Sequence, residues 1–352
     1  MNTARKNRPI PGMFDAEALQ ERIAAIDHPL LRINAMVAWE KFRPVLEEVF
    51  TKEKKGPGGR PPYDRVVMFK VLVLKHLYNI PDQQMEQRLL GDLFFRNFLG
   101  LTFSDPTPDE KTIWLFQNTL SDAGIILDLF DAFDAQLAAH NLTAKSGVIV
   151  DATIVPVPVQ HISKKDRDTL DRGETPAEWI EKPAIARQRD TEAAWTKKHK
   201  RSYFGYKDHI KIDRETKLIS SFEVTPANDH DSQPLPVLLD EEEDHGQELY
   251  ADAAYVGEPI AKTLRDCGMK DRRHRKAFKN APLNRYQKRK NKEKSKIRAR
   301  VEHIFGAMRM SMADIRIRTI GLVRATFVIG MRNMIYNMRR GAHLLTLKPA
   351  ST

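Results

Sequence analysis

The spacing of hydrophobic positions changes period near the middle of this chain. From Tyr63 onward, Val66, Val67, Phe69, Val71, Leu74 and Leu77 recur at helical spacing and predict a helix with one apolar stripe. Ile80-Pro81-Asp82 interrupts it, because proline disfavours helix before itself and suits the first turn after. A second helix follows from Asp82 through Leu90, and a short third through Phe94, Phe95, Phe98 and Leu99. Thr107-Pro108-Asp109-Glu110 reads as a capping box with Thr107 at the N-cap, opening a helix through Ile113, Trp114, Phe116 and Leu120. Another spans roughly 122–140, with Ile125, Ile126, Leu129, Phe130, Phe133 and Leu137 inward. The period then drops. Residues 147–155 form a continuous β-branched apolar run with one carboxylate, Asp151, at its centre, which predicts a strand buried on both faces. An ionised carboxylate there costs several kcal/mol unless a cation or hydrogen bonds hold it. A strand-end position or an arginine partner accounts for Asp151 as readily as a functional role.

Downstream, residues 156–200 are charged and poor in core positions, and read as a long surface excursion. Residues 205–213 alternate as a half-buried strand, 215–217 turn, and 218–224 return as its antiparallel partner. Asp231 to Leu239 looks helical, and the acidic run 240–244 reads as a solvated loop without chemistry. Residues 249–257 give a short strand ending in Asp252, followed by a helix to about Asp266. A helix over 296–310 carries Glu302, and a last amphipathic helix uses Phe327, Val328, Met331, Met334, Ile335 and Met338. This order predicts an α/β fold whose mixed sheet is flanked by helices. The expected organisation is an arm and linker over 1–60, a helical domain over 61–145, a mixed-sheet domain over 146–310, and a helical tail over 311–352. The arm holds one helix, from Pro44 to Glu53 at the latest, before a Gly/Pro/Lys link at 54–60. A helix-turn-helix reader and a plain bundle both fit the helical part.

Composition narrows this picture. A hydrophobic content of 41% and four Trp fit a folded protein. The single cysteine, Cys267, rules out an internal disulfide and suits a reducing compartment. With no apolar leader and no run of about 18 apolar residues, the expectation is a soluble, cytoplasmic protein. The net charge of +11 is not spread evenly: residues 262–300 hold 17 Lys and Arg against 3 Asp and Glu, so the remainder carries −3. Basicity gathered in one block points to a polyanion, most often nucleic acid. A solvated basic loop is the bland alternative. A membrane-surface helix fits poorly, since residues 288–292 have no apolar face.

Three carboxylates stand on predicted elements: Asp151 and Asp252 on strands, Glu302 on a helix. Clustered Asp and Glu are the usual hard-oxygen site for magnesium or manganese, and two such ions suit phosphoryl transfer. Arg298, Glu302 and Arg309, four and seven apart, project to one side of their helix and could grip a phosphodiester. An ordinary i,i+4 pair between Arg298 and Glu302, worth only ~0.3–0.5 kcal/mol, explains those two alone. The histidines show no zinc-like spacing.

Five segments occur in order: 151–153 (DAT), 203–209 (YFGYKDH), 228–231 (NDHD), 251–255 (ADAAY) and 297–305 (IRARVEHIF). Together they resemble the DDE transposases of bacterial insertion sequences, specifically the insertion sequence five family, over about residues 58–340. The resemblance implies an RNase H-like mixed-sheet catalytic domain preceded by an all-helical domain. It implies Asp151, Asp252 and Glu302 as a catalytic triad holding Mg2+ or Mn2+. The implied activity is binding of double-stranded DNA at the element's terminal inverted repeats, strand cleavage, and joining of 3′-hydroxyl ends to target DNA. A homo-oligomeric synaptic complex at the bacterial nucleoid goes with it. Arg298 matches the arginine of the family's Tyr/Arg/Glu/Lys signature and Glu302 its glutamate; Ser295 stands for the tyrosine and Arg309 for the lysine. Arg keeps the charge but differs as a phosphate ligand. Expected DNA contacts are Arg298, Arg300, Arg309, Lys288, Arg289 and Lys290. Lys207 and His209 either line the DNA channel or are ordinary strand surface. Asn228 and Asp231 either support the site or cap a turn. A nuclease without strand joining and a non-catalytic DNA-binding derivative are the rival readings. A small-molecule phosphohydrolase would leave the basic block unexplained.

Overall fold

The computed structural model describes residues 15–50, 61–143, 146–160, 162–198, 200–278, 281–315 and 317–347. The Gly/Pro/Lys link expected at 54–60 lies outside them. Eight helices come first: α1 (Asp15–Ala24), α2 (Pro29–Met36), α3 (Arg43–Val49), α4 (Arg65–Tyr78), α5 (Asp82–Gly91), α6 (Leu93–Leu99), α7 (Glu110–Asp122) and α8 (Ile126–Ala139). Strand β1 (Val148–Pro156) follows, then α9 (Lys164–Asp171), α10 (Ala177–Glu181) and α11 (Pro183–Ala186). Next come β2 (Ala194–Lys198), β3 (Arg201–Asp213), β4 (Ile219–Pro226), α12 (Leu235–Leu238), β5 (Glu248–Tyr250), α13 (Glu258–Asp266) and β6 (Lys270–Asp271). Two long helices, α14 (Arg285–Met312) and α15 (Leu322–Leu347), close the order. The expected class holds: an α/β chain whose mixed sheet follows an all-helical segment.

The sheet runs β2-β3-β1-β5-β6, with β4 also on β3. Antiparallel pairing joins β1 to β3 along its whole length, whereas the parallel pairing of β1 with β5 covers only Val148–Leu249 and Ile149–Tyr250. Alternation along β1 sends Ile149 into the larger core and Val148 and Val150 into a smaller one on the other face. The larger core is continuous from Leu30, Phe42 and Phe69 of the first helices through Phe222 of β4 to Val301, Met331 and Ile335 of α14 and α15. Helix α15 is fastened to the sheet edge by Asn337, whose side chain takes the Ile219 N–H at 2.9 Å and gives to the Ile219 carbonyl at 2.7 Å.

Several expectations change. Residues 15–49 carry three helices rather than one, because Leu30, Ile33, Phe42 and Leu46 are core residues spaced too irregularly to reveal themselves as one stripe. The N-cap of α7 is Asp109, accepting the Thr112 N–H at 2.7 Å, so the helix starts two residues later than a Thr107 cap would give. The excursion at 156–200 is not all surface. It buries Trp179 and Ala193 and returns as β2 to pair with β3. With partners on both edges, β3 is buried almost throughout rather than on one face. The helix expected over 231–239 is the four-residue α12. In the acidic run, Asp244 is buried and pairs with Lys211 at 2.9 Å, their side chains 2% and 3% exposed. The helix expected from 296 starts at Arg285, so that the last part of the basic block, Arg285 to Arg300, is the first half of α14, capped by Asn284 and Gln287 exchanging hydrogen bonds at 2.8 and 3.0 Å.

Candidate active site

The β1–β5 register sets the site. Ile149 lies opposite Tyr250, and both contribute to the larger core. Two residues further along β1 the side chain returns to the same face, which puts Asp151 on the side where α14 packs, and Asp252 follows just past the end of β5, close enough for its charge to act on Asp151. Strand β5 stops at Tyr250, and Asp252 turns the chain by capping a 3₁₀ turn, its Oδ1 accepting the Ala254 N–H at 2.7 Å. Helix α14 is held there by Val301, Ile304, Met308 and Met312, buried at spacings of three and four.

That packing places Arg298 over Asp151. Its Nη1 donates to Asp151 Oδ2 at 2.8 Å, and its Nη2 to Glu302 Oε1 at 3.4 Å. The Glu302 side chain is 62% exposed and that of Asp151 19%. Burial pushes the Asp151 carboxyl above its ordinary value; the Ala152 N–H and Arg298 hold it back, and the charge of Asp252 adds to the rise. Tyr255 lies beneath them. Its hydroxyl is buried with no hydrogen-bond partner, and burial together with Asp151, Asp231 and Asp252 holds it protonated. Arg298 Nε is buried and unpartnered in the same way. His274, whose backbone N–H donates to the Ala251 carbonyl at 3.0 Å, has its ring Nε2 3.4 Å from Ser295 Oγ. Burial, then Arg298 and Lys294, hold that imidazole below its usual value, against Asp252. Tyr255 and His274 received no role from the sequence. The signal for Tyr255 was its place three residues after Asp252, on the same short turn.

The other expected residues divide. Lys207 Nζ bonds the Asp229 carbonyl at 2.6 Å and stands 2.6 Å from Asp231 Oδ1, so both side chains pin the turn after β4, where Asn228 is exposed. His209 is fully buried, 3.0 Å from Thr225 Oγ1, and burial lowers it to about 4. The DNA contact expected of it is corrected: a central strand has no free surface there. Arg300 donates to the Arg214 carbonyl and ties α14 to the turn after β3. Arg309 pairs with Asp314 at 2.9 Å, about 16 Å along the helix from Arg298 at 1.5 Å per residue. Lys288, Arg289 and Lys290 line the exposed first turns of α14, with Glu293 taking Lys290 at 2.8 Å.

Among the described residues, no three His, Cys, Asp or Glu side chains stand close enough to hold a metal ion as a set. Arg298 lies between Asp151 and Glu302 and supplies the cation they share. In kind the residues fit a hard divalent ion: the carboxylate of Asp151 on β1 and that of Asp252 just past β5, beside an orphaned buried phenol.

Residues 142–338 match the family model described as "Transposase DDE domain", and residues 17–119 match "Transposase domain (DUF772)". Among solved structures, a cryo-EM piggyBac transposase synaptic complex with hairpin DNA aligns over 92% of this chain and 76% of its own, at 12% identity and a TM-score of 0.46. No helix among the described residues is long and apolar enough to cross a membrane.

Proposed function

Since this chain belongs to the DDE-domain transposase family and is by that membership a DDE-type transposase with an RNase H-like core, we propose that it cleaves DNA strands at element ends and joins their 3′-hydroxyls to target DNA, with Asp151, Asp252 and Glu302 as the catalytic carboxylates. The observation that supports this reading is Arg298, which bonds Asp151 at 2.8 Å and Glu302 at 3.4 Å, with Asp252 near enough for its charge to raise the Asp151 carboxyl.

Magnesium or manganese bound there would activate the attacking water or hydroxyl and stabilise the leaving oxygen. The chain's own groups do the rest. Arg298 neutralises two carboxylates, and its five donors suit a phosphodiester once it lets go. Tyr255 offers its hydroxyl proton to whichever carboxylate oxygen or water comes within reach. Lys207 and Asp231 act as supports. The exposed Lys288, Arg289 and Lys290 give α14 a cationic face for double-stranded DNA.

Purified protein, magnesium, and a supercoiled plasmid carrying the gene's flanking DNA make the test, beside Glu302→Ala. Breaks at the element ends with joined products, absent from the variant, are expected. Breaks without joining would replace this reading by a nuclease.

A further inference from the structure

A second cationic site lies about a quarter-turn round α14 from Glu302, since adjacent residues of a helix are ~100° apart. It is a cleft of about 500 Å³ between α2, α14, α15 and the β3–β4 turn. Its walls carry Lys217, His303, Arg339, Arg340 and His343, with Arg32 at the rim, and no carboxylate among the described residues lines it. Among the described residues, Asp27 engages this group from outside the cleft, taking Arg32 in two hydrogen bonds of 2.6 and 2.7 Å. Lys217 Nζ has for company the His303 Nδ1, 3.5 Å away, while its carbonyl accepts the Tyr336 hydroxyl at 3.0 Å and fixes the backbone. Arg340 spends its Nε on the Thr216 carbonyl at 2.8 Å, which aims the guanidinium at the cleft. Burial, then Arg340 and Arg300, push the Lys217 ammonium below its usual value, which is the behaviour of a cation among cations. Between these charges the floor is apolar: Ile33, Met312 and Ala342.

We propose that this cleft binds a phosphate ester, its phosphate held by Lys217, Arg340 and His303 and its apolar part resting on Ile33, Met312 and Ala342. Gathered side-chain cations lacking a carboxylate are stabilised by an anion and by little else, and a guanidinium beside an ammonium suits phosphate oxygens. A volume of about 500 Å³ holds a nucleoside phosphate and not merely an inorganic ion. That chemistry comes from two sources, a nucleotide of a DNA strand or a free nucleoside monophosphate. The inference rests on the cleft alone, so its failure would leave the carboxylate assignment untouched.

The test compares wild type with Lys217→Asn/Arg340→Gln and, separately, with His343→Glu. Asn tolerates the left-handed backbone that Lys217 adopts, at φ 60°. His343 is an exposed rim residue whose replacement leaves the interior alone. Each is checked for unchanged thermal unfolding. Binding of a random-sequence duplex is followed over a salt series, and thymidine 5′-monophosphate is titrated calorimetrically. If DNA fills the cleft, the double variant lowers the log–log salt slope by about 1–2, and His343→Glu weakens binding several-fold. If a free phosphate ester fills it, the slope is kept and both variants lose thymidine monophosphate binding by about tenfold or more. Wild-type slope together with no difference in nucleotide binding in either variant would overturn the proposal.

Discussion

Arg298 and Asp151, 147 residues apart in sequence, meet at 2.8 Å, and the same guanidinium reaches Glu302 at 3.4 Å. The candidate site is thus charge-compensated from within, by the guanidinium that Asp151 and Glu302 share. Replacing Arg298 by Gln leaves a largely buried carboxylate without its cation. Unfolding free energy in EDTA is expected to fall by about 1–3 kcal/mol. Millimolar magnesium should then raise the melting temperature of the variant more than that of wild type, because the ion replaces the lost charge. An equal response of the two proteins would show that the arginine and the metal do not share a place.

How much of this was legible in the sequence depends on which neighbours decide each residue's surroundings. Asp151 stood out because a carboxylate inside a Val/Ile run is locally anomalous, and Asp252 and Glu302 because they fall on ordered elements downstream. His209 was misread for the opposite reason. Its alternating strand looked half-buried, yet burial there is set by β2, which returns from a charged segment 45 residues long that shows no strand signal of its own. Asp244 was hidden inside a run of five acids, where nothing local separates the one that meets Lys211 from the four that meet water. The core role of residues 29–49 was missed because Leu30, Ile33, Phe42 and Leu46 come from separate short segments.

Lys211 and Asp244 form a buried pair, and Asp244 also takes the Asp240 N–H at 2.9 Å. Truncating one partner strands the other charge. Asp244→Ala is expected to cost about 3–5 kcal/mol in urea unfolding, and Lys211→Met with Asp244→Leu distinctly less. Equal losses would mean that the pair itself, rather than an uncompensated charge, sets the cost.

Asp208 is fully buried opposite Thr153 of β1, accepts the Asn333 amide at 3.0 Å, and is pushed up by burial to about 7. The Asn333 amide oxygen is buried without a donor. Because the folded value lies above the unfolded one, this group's stabilisation is complete below about pH 4 and is lost as pH rises through about 7. Asp208→Asn should therefore stabilise the protein at pH 8, by on the order of a few kcal/mol, with the gain vanishing toward pH 4. A gain independent of pH in thermal melts would refute this.

Gly205 lies opposite Pro156, where a Cβ would stand 2.2 Å from the Val155 carbonyl oxygen, at a φ of 153°. Gly205→Ala must push β3 away from β1, the strand that carries Asp151. A loss of about 3 kcal/mol or more is expected in denaturant unfolding. A melting temperature within a degree of wild type would contradict this packing.

The most direct measurement separates binding from chemistry. Asp151→Ala, Asp252→Ala and Glu302→Ala are each assayed for binding of a duplex carrying the element end and for strand cleavage in magnesium. If the cationic face of α14 supplies the phosphate affinity, as proposed, binding should stay within about threefold of wild type. Losing several kcal/mol of charge stabilisation at the reacting oxygens should lower cleavage by about 10³-fold or more in each variant. Near wild-type cleavage in any one of the three would remove that residue from the catalytic set and contradict the account.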